Sequence, residues 1–435
     1  MTLKFVDLFA GIGGFHQALS SKEIGGECVL AVEIDSDCQS VYQANWPKTK
    51  VVGNIRTLTQ DEDGNDLSIS KIRKLVPDHD VLCAGFPCQP FSKSGMQLGI
   101  RDQTRGTLFF DIMQIVQAKK PGFVLLENVR NLAGPRHVET MRTIVDSLRL
   151  EGYVTADLPI VLSPHLLPPN SGGAPQSRER VFIAAWLKTS KHKIKPPLPL
   201  VIDRHPFPNW DPMNWRIEEY LDDDSLIPNL DQYKIREDEE SWLLAWNHFI
   251  QMIDDDNLPG FPIWVDAFVA NPKIPSGTPK WKQDFLQKNS DFYVQHKTKI
   301  DAWLKKKWGK SRLTVLDFPP SRRKFEWQAR NWQPTKKSRD LFDLVIHFRP
   351  SGIRVKAPTY LPALVAITQT SVIGSRRRKI TPFEAAHLQG MNPKVLRKNF
   401  TDDPTAYKQL GNAVNVGVVR FVAQKLFEAE EANRG

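Results

Sequence analysis

Cys88 stands between two prolines in Gly85-Phe86-Pro87-Cys88-Gln89-Pro90-Phe91-Ser92. The apolar run before it, Asp80-Val81-Leu82-Cys83-Ala84, reads as a buried strand, which places the thiol on a rigid loop at a strand's carboxyl end. A polarisable atom fixed in this way is a candidate nucleophile, because covalent catalysis needs it held within bonding reach of its target. A structural cysteine in a proline-rich turn is the competing reading of the loop alone. Near the amino terminus a second strand, beginning at Val6, runs into Phe9-Ala10-Gly11-Ile12-Gly13-Gly14-Phe15, and helical pattern follows in His16-Gln17-Ala18-Leu19. Glycines at such a turn let the backbone approach a ligand and aim amide N–H groups at it.

The elements that position these groups alternate between strand and helix. The strand Cys28-Val29-Leu30-Ala31-Val32 ends in Glu33, about twenty residues after the glycines, where a carboxylate can accept both hydroxyls of a ribose. A third strand, Val51-Val52-Gly53, ends at Asn54-Ile55. These strand ends line one crevice in a doubly wound sheet, the place where nucleoside cofactors bind. The turn is not a Gly-x-Gly-x-x-Gly fingerprint and lacks the basic or hydroxyl phosphate ligand of a P-loop. An adenosine without phosphates fits it better than a dinucleotide.

Taken together, the motifs resemble the DNA (cytosine-5) methyltransferases of bacterial restriction-modification systems. The similarity runs in the family's order through Asp7–Gly14, Glu33, Gly85–Ser92, Arg105–Phe109, Glu127-Asn128-Val129 and Gln176–Arg180. It resumes at Ile380–Glu384 with Leu388-Gln389-Gly390 and ends at Gln409–Val414. The resemblance implies an α/β fold: a doubly wound, Rossmann-like, S-adenosylmethionine-dependent methyltransferase sheet with a second, smaller target-recognition domain. The expected domains are 1–187 plus 405–435 for catalysis, 188–375 for target recognition and 376–404 as a hinge. It also implies that S-adenosyl-L-methionine is held by Phe9, Gly11, Gly13, Gly14, Glu33, Ile34, Asn54, Ile55, Pro87, Leu108, Asn412 and Val414, with no metal. Three positions depart from relatives. Asn54 stands where an aspartate often accepts from adenine, Ile34 where an aromatic ring sometimes stacks, and Ala413 where some members have serine.

The chemistry follows from the target. Carbon 5 of cytosine is a poor nucleophile, so the ring must first be made electron-rich, and adding the Cys88 thiolate to carbon 6 does this. The addition drives negative charge to ring nitrogen 3 and oxygen 2, where an acid and a guanidinium should stabilise it. Glu127, at the end of the strand Gly122-Phe123-Val124-Leu125-Leu126, is the acid and needs a raised pKa. Arg178 and Arg180 alternate on an expected strand continuing into Val181-Phe182-Ile183 and should share a face. Oxygen 2 is assigned to Arg180, and Arg178 acts as a local electrostatic partner. Water is the default base for the carbon 5 proton.

A chain of 435 residues accommodates two domains. Its four cysteines lack the spacing of zinc sites, so disulfides and structural zinc are not expected. No apolar stretch reaches the ~18 residues of a membrane span and no signal peptide is read, so a cytoplasmic protein is expected. The net charge of +10 is unevenly spread: residues 217–257 hold 13 acidic and 2 basic side chains, residues 273–339 hold 5 acidic and 18 basic. The acidic stretch, read as an inserted helical subdomain, should face away from nucleic acid. The basic runs Lys305–Lys310 and Ser321–Trp327, interleaved with aromatics, supply phosphate contacts. Residues 188–375 contain ten of the twelve tryptophans, and Phe348–Lys356 with Thr368–Ser371 read as a DNA-facing surface. Double-stranded DNA with the target cytosine flipped out is the expected partner. A monomer is expected, paired in function with a restriction endonuclease but not in a stable complex. Two other readings are a transfer-RNA cytosine-5 methyltransferase and a non-catalytic DNA-binding module. The transfer-RNA branch carries a Cys-Phe-Thr motif, whereas no cysteine follows Cys88 here; intact Cys88, Glu127 and Arg180 weigh against the module.

Overall fold

Apolar runs of four to six residues, each closed by a turn, build a sheet whose strands are buried on both faces, as a parallel sheet covered by helices requires. The computed structural model describes residues 2–87, 107–253, 258–333, 336–364, 370–393 and 402–434. Cys88 and Arg105-Gly106 lie outside the described residues, as do Thr368 and Gln369. Contacts divide the chain into two units, one of residues 1–215, 362–367 and 382–435, the other of 216–361 and 368–381.

The first unit contains β1 (Lys4–Leu8), β2 (Glu27–Val32), β3 (Val51–Val52), β4 (Val81–Gly85), β5 (Phe123–Val129), β6 (Tyr153–Thr155), β7 (Ile160–Leu162), β8 (Gln176–Ser177) and β9 (Arg180–Leu187). Their order is β3-β2-β1-β4-β5-β9-β6, with β7 also on β9. Strands β3 to β5 in that order are parallel; β9 runs antiparallel to β5, β6 and β7. The connections leaving β1 and β4 diverge to opposite sides of this order. The carboxyl ends of those two strands therefore open a crevice, the topological switch point.

Helices α1 (Gly14–Leu19), α2 (Ser36–Asn45), α3 (Arg56–Thr59), α4 (Ile69–Leu75), α5 (Leu108–Lys119) and α6 (Val138–Leu150) follow the strands. In α5, Phe109, Ile112, Ile115 and Val116 form one apolar face, each worth about 1.5–3 kcal/mol when buried. They pack with Ile72 and Ile144 on the sheet face of Val6, Leu82 and Val124. Thr107 caps this helix by accepting from the Phe110 N–H at 3.3 Å. On the other sheet face Phe5 meets the His16 ring edge-on at 5.5 Å.

The first unit is completed by α10 (Pro382–Leu388), α11 (Asp403–Asn412) and α12 (Val416–Ala432). It extends to Trp215, past the boundary expected at 187, because residues 188–215 are tied to α12. His192 pairs with Glu430 at 2.7 Å, the Leu198 N–H donates to Asn433 Oδ1 at 2.8 Å, and Phe207 meets Phe421 at 5.7 Å. The segment expected as a hinge is divided: residues 376–381 belong to the second unit and the part from Pro382 on to this one, where Gln389 donates to the Leu410 carbonyl at 2.9 Å.

The second unit has a sheet in the order β10 (Ile263–Trp264), β11 (Lys324–Trp327), β13 (Gly352–Lys356), β12 (Val345–Arg349), β15 (Val372–Ile373) and β16 (Arg378–Lys379); β14 (Leu361–Pro362) lies outside it. Alternation sends Phe325, Trp327, Ile353, Val355, Ile346 and Phe348 to one face, into a core with α7 (Glu237–Met252), α8 (Lys280–Gln295) and α9 (Lys297–Lys305). Trp246 of α7 stacks on Phe325 at 4.8 Å. The acidic stretch is short 3₁₀ turns over 217–233 followed by α7. Part of it is paired within this unit: Glu218 and Asp224 with Arg376, Asp224 with Arg378, and Glu240 with Arg377. Among the described residues no helix is long and apolar enough to cross a membrane.

Candidate active site

A cavity of about 460 Å³ opens at the carboxyl ends of β1, β2, β4 and β5. Its wall contains Phe9, Gly11, Gly14, Glu33, Ile34, Asn54, Ile55, Pro87, Leu108, Asn412 and Val414, together with Glu127 and Arg180. Of the expected cofactor positions only Gly13 is absent from this wall. It lies on the far side of the turn with φ of 84°, where a Cβ would strike the ring of Trp46. At Gly14 a Cβ would come within 2.5 Å of Val414 Cγ2, so the glycine lets the carboxyl-terminal return close against the turn. Phe9 itself has φ of 59°, a conformation uncommon outside glycine.

Glu33 fastens the glycine turn: Oε2 accepts from the Gly11 N–H at 2.7 Å and Oε1 from the Asp35 N–H at 2.8 Å. Asn54 Oδ1 accepts from the Arg56 N–H at 3.0 Å, closing the turn that leads into α3 and leaving one lone pair for a ligand. Ile34 is 74 % exposed and offers an apolar surface at the mouth. Beneath the turn, burial and then the charge of Glu33 hold Asp7 well above the usual carboxylate range. Among the described residues the wall carries three carboxylates, Glu33, Asp35 and Glu127, against the single cation Arg180. Such a wall suits a neutral or cationic nucleoside and opposes a phosphate.

The chemistry side is built on neighbouring strands. Parallel pairing sets Glu127 beside Gly85, three residues before Cys88, and antiparallel pairing sets Val129 beside Arg180. The Glu127 carboxyl is buried, and Arg180 Nε lies 3.1 Å from its Oε1. Burial raises the Glu127 pKa; Arg180 and then Arg178 oppose that rise. Desolvation therefore outweighs the cations, and the group favours its protonated form more than an exposed glutamate does. Burial lowers the pKa of Arg180, and Glu127 opposes that.

Arg178 and Arg180 do not share a strand face. The strand is interrupted at Arg178-Glu179, between β8 and β9. The Arg178 guanidinium is buried and donates to three carbonyls, Leu364 at 3.1 Å, Gly411 at 2.8 Å and Ala413 at 2.7 Å. It clasps the segment that carries Asn412 and Val414. Two residues with no role read from sequence also matter. Asn128 is buried and donates to the Phe86 carbonyl at 2.8 Å, fixing the chain that leads to Pro87 and Cys88. Asp35 caps α2 and pairs with Lys408 of α11 at 3.3 Å. The Asp35-Ser36 cap signal was visible in the sequence, whereas the tie to Lys408 spans 373 residues and had none.

A profile of C-5 cytosine-specific DNA methylases matches residues 3–428. The Type II methyltransferase M.AluI of Cellulosimicrobium cellulans is 38% identical, over 98% of this chain and 92% of its own. M.BanI of Aneurinibacillus aneurinilyticus is 30% identical, over 98% and 96%. Among solved structures, DNMT2 of Spodoptera frugiperda aligns with a TM-score of 0.51 at 18% identity, over 98% of this chain and all of that one, a likeness of fold. With the methyltransferase sheet, the cavity at its switch point and a match that runs nearly end to end, the chain belongs to the C-5 cytosine-specific DNA methylases, enzymes that methylate carbon 5 of cytosine in DNA.

Proposed function

We propose that the protein is a sequence-specific Type II methyltransferase that takes S-adenosyl-L-methionine as donor and acts on a cytosine flipped out of duplex DNA. The observation that carries the reading is the buried Glu127–Arg180 pair at 3.1 Å on the cavity wall, one strand from the loop that leads to Cys88. The cofactor supplies a methyl group on a cationic sulfur, and the acid-rich wall fits that charge. Glu33 accepts from the ribose hydroxyls, Asn54 and Ile55 hold the adenine, and the Phe9–Gly14 turn receives the amino-acid end.

The Cys88 thiolate adds to carbon 6 of the base. Glu127 gives its proton, or a hydrogen bond, to nitrogen 3, and Arg180 holds oxygen 2 while charge develops there. Carbon 5 then takes the methyl group, a water removes its proton, and the electron pair expels Cys88. Arg178 acts from behind, holding the Gly411–Ala413 backbone in place. The second unit serves target recognition, the enzyme works as a monomer in the cytoplasm, and its product protects DNA from a cognate restriction endonuclease without a stable complex. The relatives M.AluI and M.BanI, whose names carry the Type II designation, support that role.

The test is transfer of a radiolabelled methyl group from S-adenosylmethionine to unmethylated duplex DNA and to transfer RNA, with Cys88→Ser in parallel. Label on DNA that requires Cys88 is expected. Label on RNA alone would install the transfer-RNA reading, and no label on either would leave a binding module.

A further inference from the structure

The second unit has a groove of its own that methyl transfer does not use. Its floor is the polar face of the sheet edge, where Trp264 of β10, Lys324 of β11 and Arg354 of β13 lie on adjacent strands. Its wall is the start of α8, which presents Trp281, Lys282 and Phe285. The volume is about 710 Å³, within the roughly 300–1,000 Å³ of sites that hold a small molecule or one end of a larger one.

Rings and cations alternate here. Phe285 meets Trp264 edge-to-face at 5.6 Å and Trp281 at 6.1 Å. Trp281 is nonetheless 58 % exposed, a large apolar surface left to solvent beside the groove. The Lys324 ammonium lies 5.5 Å from the centre of the Trp264 ring. The two carboxylates of the groove are already committed, Glu326 to Arg354 and Asp266 to Arg323, both at 2.8 Å. Lys282 and Lys324 have no carboxylate partner among the described residues. Positive charge is also crowded on this face. After burial, Arg354 helps to push down the pKa of Arg349, and Arg349 and Arg354 together push down that of Lys356.

An aromatic slot with free cations at its rim suits a flat, apolar-faced group joined to an anion. An acidic peptide would satisfy the cations and leave the ring faces wet; a nucleobase with its phosphodiester satisfies both. We propose that this groove binds a nucleic-acid strand, stacking one unpaired or extruded base on the exposed Trp281 ring and setting the flanking phosphates on Lys282 and on Lys324, which is seated over Trp264. The inference rests on the DNA-methyltransferase reading only in taking DNA as the strand.

The test uses full-length protein and anisotropy with a short fluorescent single-stranded DNA, for Trp281→Ala, Trp281→Phe and Lys282→Gln/Lys324→Gln. Trp281→Ala is expected to weaken binding by about ten-fold, the scale of one lost base stack, while Trp281→Phe retains most of the affinity. The double lysine variant should flatten the dependence of log affinity on log salt by about 1 to 2, one per phosphate released. No groove residue lines the cofactor cavity, so affinity for S-adenosylmethionine should match wild type, and the near-ultraviolet circular dichroism and urea midpoint of the tryptophan-rich second unit check that the groove variants are folded. Wild-type affinity and salt slope in both Trp281→Ala and the double variant would overturn the proposal. So would polyglutamate binding that is lost in these variants while they keep wild-type affinity for the DNA. Methylation of duplex DNA by the wild type is followed separately: its absence would sink the activity, whereas the groove stands or falls on the variants.

Discussion

Replacing Arg178 by methionine should cost stability and leave chemistry nearly intact, whereas Arg180→Met should do the reverse. Arg178 makes three hydrogen bonds to buried carbonyls, at 2.7, 2.8 and 3.1 Å. Bonds of this charge-assisted kind contribute about 1.5–3 kcal/mol each, a simple sum of roughly 5–9 kcal/mol. That sum is an upper bound, because burial, and after it repulsion from Arg180, hold the Arg178 pKa down to about 9. At about 1.36 kcal/mol per pH unit, keeping the cation there is unfavourable by on the order of 5 kcal/mol. Methionine removes that penalty along with the bonds, but it orphans three carbonyls at once. Bonds less penalty leave about 0–4 kcal/mol, and the orphaned carbonyls put the net loss towards the top of that span, about 3–4 kcal/mol, as when one side of a buried charged network is removed.

The assay is urea denaturation followed by near-ultraviolet circular dichroism, with kcat measured per folded molecule well below the transition. Arg178→Met should lower the midpoint clearly and keep kcat within a few-fold. Arg180→Met should lower kcat by roughly 10²–10³, the scale of one lost donor to developing charge, with the smaller change in midpoint, since Glu127 can take up a proton once its partner is gone. A wild-type midpoint for Arg178→Met, with kcat reduced as far as in Arg180→Met, would refute the clasp and return Arg178 to the chemistry.

The other expectations concern single groups. Burial raises the Glu127 pKa, so a rate that needs its protonated form is full below that pKa and falls as pH climbs through it. Arg180→Met removes the largest opposing charge and should move the falling limb of the single-turnover profile to higher pH; a limb that stays in place or moves down would disprove the coupling. Glu127→Gln should flatten the limb and lower kcat by about 10²–10⁴, read under the same conditions. Gly14→Ala puts a methyl 2.5 Å from Val414 Cγ2, an overpacking of about 1–3 kcal/mol; calorimetry should show cofactor affinity at least several-fold weaker, partly restored by Val414→Ala. Asn128→Ala removes the 2.8 Å bond to the Phe86 carbonyl at about 1–2 kcal/mol, and should lower kcat about ten-fold with unchanged KM for the cofactor.

Much of the site was legible because its parts are local. The turn from Phe9 to Gly14, Glu33 after β2 and Glu127 in β5 each follow a short apolar run, and a strand followed by a glycine turn or a carboxylate can be read without knowing the rest of the chain. Strand ends shifted by a residue or two, as where β5 continues through Glu127 to Val129 instead of stopping before it. What could not be read was long-range. Alternation put Arg178 and Arg180 on one face, but the break between β8 and β9 turns them to different partners, and only the carbonyls of residues 364, 411 and 413 explain why. The domain boundary failed to show for the same reason. Residues 188–215 carry no strong periodicity, and their attachment to α12 rests on single contacts such as His192 with Glu430. The acidic run looked like a solvated insert because its partners, Arg376 to Arg378, lie some 150 residues on.

The interruption at Arg178-Glu179 also accounts for how one short segment can serve two ends of the chain. A continuous strand from Gln176 would have aimed both guanidiniums into the cavity, where two cations beside one carboxyl would favour ionised Glu127 and, in the mechanism proposed above, deprive nitrogen 3 of a proton donor. With the break, Arg180 alone reaches Glu127 at 3.1 Å, and desolvation still prevails over it. The second cation is withdrawn into the scaffold, yet stays close enough to register as the weaker opposing charge on Glu127. There it fixes Gly411 and Ala413, and with them Val414, whose side chain lies against Gly14. The glycine turn and Glu127 are thus joined through two arginines two positions apart, so that loss of the carboxyl-terminal return should loosen the glycine turn before it touches the Glu127–Arg180 pair. Val414→Gly should accordingly weaken cofactor binding while thermal unfolding stays cooperative, and wild-type cofactor affinity in that variant would contradict the linkage.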